Sequence, residues 1–134
     1  MQLKDQVISL EQAKKLKKLW FEREYFVVWW IVNWNSFVTL KSAMTTTEEQ
    51  YPAYTVSELM EILPFKIMPS WINDIRWTYI LNIGKWQNIK GVVYEVLYYD
   101  LHNKGNLEYT ENQNLAQALW DILIRAIENK YIEL

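Results

Sequence analysis

The run Phe26-Val27-Val28-Trp29-Trp30-Ile31-Val32-Asn33-Trp34 packs three tryptophans and five other large apolar side chains into nine residues. β-branched and aromatic residues suit an extended, pleated backbone. Both alternating sets of this run are apolar, which predicts a strand covered on its two faces. The same bias runs through the whole chain, with eight tryptophans and nine tyrosines among 134 residues. Such side chains bury large areas and drive a packed core, and any left outside are natural anchors for a partner.

The length fits one domain, residues 1–134, able to bury close to 70% of the surface its unfolded form exposes. Without cysteine, disulfides and thiolate-bound metals are excluded. The longest apolar run falls far short of the roughly 20 residues that span a bilayer. No basic segment followed by an apolar one opens the chain, so a cytoplasmic protein with no membrane association is expected. A formal net charge of −2 argues against a duplex-DNA binder, which carries a basic excess. No cofactor is expected.

Local signals divide the chain into elements. Ser9-Leu10-Glu11-Gln12 is a capping box, in which hydroxyl and amide side chains satisfy each other's free backbone donors. It predicts a helix over residues 9–20, with Leu10, Ala13, Leu16 and Trp20 on one face and Glu11–Lys15 as a favourable pair. After the aromatic strand, Asn33, Asn35 and Ser36 turn the chain into a second strand over residues 37–40. The polar stretch Thr45-Thr46-Thr47-Glu48-Glu49-Gln50 is expected as a mobile loop.

Thr55-Val56-Ser57-Glu58 is a second capping box, opening a short helix that Pro64 ends, and residues 65–68 read as an edge strand. Alternation predicts strands over residues 75–83 and 92–99, joined by a loop from Gly84 to Gly91 that carries Trp86. Asn103-Lys104-Gly105 marks a tight turn into a short strand at residues 107–109. Thr110-Glu111-Asn112-Gln113 fits a third capping box, with the helix running to about Asn129. Its polar stripe, Gln117, Asp121, Arg125 and Glu128, is narrow, so the helix is buried over a wide arc, with Asp121–Arg125 as an i,i+4 pair. The fold class is α+β: an antiparallel sheet of about four to six strands, N- and C-terminal helices packed against it, and one short central helix, in two layers.

Three segments carry a resemblance. They are Val7-Ile8-Ser9-Leu10-Glu11-Gln12-Ala13-Lys14-Lys15-Leu16, then Tyr51-Pro52-Ala53-Tyr54-Thr55-Val56-Ser57-Glu58-Leu59 through Leu63-Pro64, and Ile127-Glu128-Asn129-Lys130-Tyr131-Ile132. They resemble small phage- or prophage-associated proteins of gut bacteroidetes. The resemblance implies a mobile-element origin. It assigns no reaction and brings no functional residue with it.

Chemistry has few carriers here. His102 is the only histidine and lies beside a turn. Ser9, Thr55 and Ser57 are accounted for as caps, and no phosphate-cradling glycine loop exists. No constellation of catalytic roles can be assembled, and no metal site is expected. The leading expectation is therefore a non-catalytic protein acting through contact with an unidentified protein partner. Trp34, Trp71 and Trp86 are the anchors, since each lies at a strand end or in a loop beside polar residues. A homodimer is the commonest closed arrangement such a patch can make. One alternative is single-stranded nucleic-acid binding, with Tyr98 and Tyr99 stacking on bases and Lys14, Lys15 and Lys18 along the backbone. Another is ligand binding or catalysis around the Thr45–Gln50 loop and His102.

Overall fold

The structure, a computed structural model, describes residues 3–18, 25, 27–32, 34–41, 49–67, 78–100 and 105–132. The expected helix ending at Trp20, the expected loop at residues 45–50, Trp71, residues 75–77 and His102 lie in whole or in part outside these residues. The α+β class holds, with the strands antiparallel. They divide into two sheets. One has three strands in the order β2-β1-β3: β1 (Val27–Val32), β2 (Asn35–Leu40) and β3 (Gln50–Pro52). The other has four in the order β4-β5-β6-β7: β4 (Lys66–Ile67), β5 (Tyr79–Asn88), β6 (Gly91–Asp100) and β7 (Gly105–Asn112). Among the described residues, no helix is long and apolar enough to cross a membrane.

Helix α1 (Leu10–Lys18) starts as its capping box dictates: Ser9 N–H donates to Gln12 Oε1 at 2.9 Å and Gln12 N–H to Ser9 Oγ at 3.2 Å. Helix α2 (Val56–Ile62) has the reciprocal Thr55–Glu58 box. Helix α3 (Leu115–Glu128) departs from the expected start, because Thr110 and Glu111 pair with Val96 and Glu95 in the sheet. That ladder takes the backbone donors a cap would have served. The helix opens instead on Asn114, whose side chain accepts from Gln117 N–H at 3.1 Å. Its Nδ2 also donates to the carbonyl of Asp5 at 3.2 Å, tying the start of α3 to the beginning of the chain. At the other end Lys130 takes φ 59°, and Tyr131 N–H reaches back to the Ala126 carbonyl at 2.8 Å, a Schellman closure.

The expected loop from Gly84 to Gly91 is strand for most of its length. β5 runs on through Gly84 and Trp86 to Asn88, in register with β6 down to Asn88↔Gly91. The turn is confined to the residues between, where Asn88 Oδ1 accepts from Lys90 N–H at 2.8 Å and Gly91 supplies φ 118°.

Helix α3 lies against β6 and β7, and its side chains join Tyr79, Val96 and Tyr98 in the main core. Tyr54, Leu59, Ile8 and Ala13 belong to the same cluster, with Trp29 and Tyr51 of the three-stranded sheet packed on it. A second, smaller cluster of Val7, Val27 and Ala53 lies beside the three-stranded sheet, and Trp29 packs against both clusters. Trp29 meets its polar need by donating Nε1 to the Ile8 carbonyl at 2.9 Å. The polar stripe of α3 is where expected, although its groups pair elsewhere. Asp121 accepts from Gln12 and Thr110, each at 3.4 Å, and Arg125 donates to the Tyr109 carbonyl. Lys15 turns from Glu11 to Glu128, 3.2 Å away.

Trp120 is only 7% exposed within this core. Trp120→Ala is expected to cost about 3–5 kcal/mol, read from the shift of the denaturant midpoint. A loss under about 1 kcal/mol would mean the cavity collapses or the ring does not pack as described.

Candidate interaction surface

Side chains alternate between the faces of a strand, so register sorts the four-stranded sheet into two surfaces. Tyr79 and Leu81 of β5 stand with Val96 and Tyr98 of β6, and this inner face meets α3. Ile80 and Trp86 of β5 stand with Tyr99, Leu97 and Val93 of β6, and Tyr109 of β7 lies opposite Leu97. None of these six belongs to the cluster under α3. Val93 is buried opposite Trp86, while Trp86 remains 41% and Tyr109 39% exposed. The outer face thus turns Trp86 and Tyr109 to solvent, among the exposed polar residues Lys66, Asn82 and Asn88. Exposed rings grouped in this way are a candidate surface for contact.

Two carboxylates interrupt it. Glu95 and Glu111 are direct cross-strand neighbours, an arrangement in which like charges oppose each other. The Tyr109 hydroxyl lies 3.1 Å from Glu95 Oε2 and 3.1 Å from Glu111 Oε2. Its single proton can serve only one of them at a time. Its phenol is pushed up to about 12 by loss of hydration, then by the hydrogen bonds and charges of the two glutamates. Gly84 makes room for this group. A Cβ there would stand 2.8 Å from Glu95 Oε1 and 2.9 Å from Glu95 Cγ, so a larger residue would displace the carboxylate.

Strand hairpins carry two further exposed apolar side chains. The register Val32↔Asn35 leaves a two-residue loop between β1 and β2, and Trp34 occupies its last position with φ 70°, fully exposed. Glycine is the usual residue at such a position, since a Cβ is crowded at positive φ. A tryptophan there is a backbone outlier. Ile89 is likewise fully exposed in the β5–β6 turn. Of the three expected anchors, Trp34 and Trp86 therefore face solvent and Trp71 lies outside the described residues.

The residues of the nucleic-acid alternative do not come together. Tyr98 is closed inside the core and donates its hydroxyl to the Pro64 carbonyl at 2.7 Å, so its ring cannot stack on a base. Burial also pushes its phenol up. Tyr99 stands on the opposite, outer face. Lys15 lies over the Trp120 ring at 5.6 Å, on the helix side of the sheet. Lys14 and Lys17 both address the Tyr51 ring, at 5.6 and 4.8 Å, and Lys18 is exposed. The alternative around residues 45–50 keeps only its end in view, where the Tyr51 hydroxyl donates to Glu49, which raises the tyrosine's proton affinity. A concavity of about 370 Å³ lies elsewhere, between the starts of α2 and α3, lined by Thr55, Ser57, Gln113 and Asn114 among others.

The Glu95–Tyr109–Glu111 group is hidden in the sequence, because a helix cap expected at Thr110 ends β7 too early. A full-length β7 would have placed Tyr109 and Glu111 on one face, two residues apart.

No family model matches the chain, and neither a curated protein nor a solved structure matches it.

The Tyr109 environment makes a titration prediction. Folding raises this phenol's pKa above its ordinary value, so its contribution to stability is present below about pH 10 and is lost as pH climbs through about 12. Absorbance titration should show several late tyrosines, Tyr98 and Tyr109 among them, one of which moves earlier in the Glu95→Gln/Glu111→Gln protein. An unchanged late titration would mean that the carboxylates do not act on the phenol.

Proposed function

We propose that this protein is a non-catalytic accessory protein that docks onto another protein through exposed aromatic side chains, with Trp34 and Trp86 as its anchors. The observation that carries this reading is Trp34: a fully exposed indole at a left-handed turn position. Holding a bulky residue at positive φ costs about 1–2 kcal/mol, which glycine would avoid. The ring returns no burial within its own chain to offset that cost. Strain of this kind, held without local gain, marks positions kept for binding. Trp86 supports the same reading from the open face of the other sheet. Tryptophan is the side chain most enriched at the energetic centre of protein interfaces. The resemblance of the terminal and central helices to phage- and prophage-associated proteins makes a mobile-element setting the natural context for the partner.

The test separates folding from binding. Trp34→Gly should hold the denaturant midpoint or raise stability by up to about 1 kcal/mol, because the backbone strain is relieved. The same variant, and Trp86→Ser, should each lose partner capture from host lysate by tenfold or more, about 1.4 kcal/mol or above, with nuclease present throughout. Full capture by both folded variants would refute the reading. Capture that vanishes with nuclease would replace it with nucleic-acid binding.

A further inference from the structure

We propose that the outer face of the four-stranded sheet seats an arginine-bearing segment of the partner protein, its guanidinium bridging Glu95 and Glu111 between the rings of Trp86 and Tyr109. This inference rests on the docking reading above and names the chemistry of the partner.

Charge complementarity beside exposed aromatic rings carries this inference. Both carboxylates lie within hydrogen-bond reach of one hydroxyl, so their oxygens are at most about 6 Å apart. Tyr109 has one proton to give and leaves the other carboxylate without it. Among the described residues, neither glutamate has a cation within ion-pair distance. Arg125 is engaged on the Tyr109 carbonyl, and Lys85, next to Gly84 on β5, stands over the Tyr94 ring on the opposite face. No described residue supplies the cation that would balance this pair, and an arginine of another molecule can.

The surroundings select its kind. Val93, Leu97 and Trp86 flank the acidic pair on this face, with Asn82 its one polar neighbour on β5. A compact ammonium is strongly hydrated and enters such a place at high cost. A guanidinium is weakly hydrated, stacks on aromatic faces, and has five donors in one plane, enough for two carboxylates at once. A second copy of this chain does not fit face to face, because it would set one acidic pair against another.

The test uses the intact protein and a panel of blocked ten-residue peptides, each with one arginine between aromatic and aliphatic residues. Every peptide is paired with a twin carrying neutral citrulline in place of arginine. Titration calorimetry should give saturable binding with the arginine peptides favoured about tenfold or more. Glu95→Gln/Glu111→Gln should abolish that preference, whereas Tyr109→Phe, which keeps both charges, should retain it. Trp34→Gly should leave it intact. Equal binding of the twins, or a preference that survives in the double glutamine protein, overturns the proposal. Either result with Trp86-dependent partner capture still in place overturns the arginine seat alone. Loss of that dependence overturns the docking reading with it.

Discussion

Eight of the fourteen residues of α3 are buried, and they include its largest apolar side chains, Leu119, Trp120, Ile122, Leu123 and Ile124. Complete burial of a single side chain of this size contributes about 1.5–3 kcal/mol. A helix buried over so wide an arc needs contact on several sides, and it finds the inner face of β6 and β7 on one and α2 on another. Hydrogen bonds hold its first turns to the rest of the chain: Asn114 to the Asp5 carbonyl and Gln12 to the Gln117 carbonyl and Asp121. The two sheets are joined through the core that this helix fills, since Trp29 and Tyr51 of one pack into the cluster that holds Val96 and Tyr98 of the other.

Because α3 packs on the β6 and β7 side of the four-stranded sheet, the sheet's other side is left for something else. The aromatic excess of the chain divides accordingly. Trp29, Tyr54, Tyr98 and Trp120 serve the core, and Tyr98 and Trp29 find carbonyls for their polar atoms. Trp34 and Trp86 serve no core position. Between them the structure offers a rigid scaffold with outward rings on two hairpins, a layout that limits the ordering cost of binding. The acidic pair on the outer face adds selectivity. It disfavours a like-charged or purely apolar partner and leaves a place for a cation.

Much of the fold is legible in the sequence where the signal is local. Ser9 and Thr55 open their helices as their capping boxes say, because each box satisfies donors three residues away and needs nothing remote. Thr110 carries the same local signal and sits in a strand, because pairing with β6 takes up its backbone groups and Asn114 can cap equally well. Gly84 looks like punctuation in sequence, yet it is a strand residue kept small by the Glu95 side chain crossing over it. That close approach depends on a partner strand eleven residues on, which no local pattern reveals. Alternation identifies strands without saying which edges pair, so the division into two sheets is also invisible before the fold is known. Trp34 and Trp86 stand out in sequence as rings beside polar residues. The Glu95–Tyr109–Glu111 group does not, because only the β6–β7 register assembles it.

The most direct test of a docking surface on an α3-centred scaffold is amide hydrogen exchange, compared between the free protein and its captured complex. The account predicts new protection at the β1–β2 turn around Trp34 and along the strands bearing Trp86 and Tyr109, with α3 equally protected in both states. Protection that falls instead on α1 and α2, with the two hairpins exchanging as in the free protein, would contradict it.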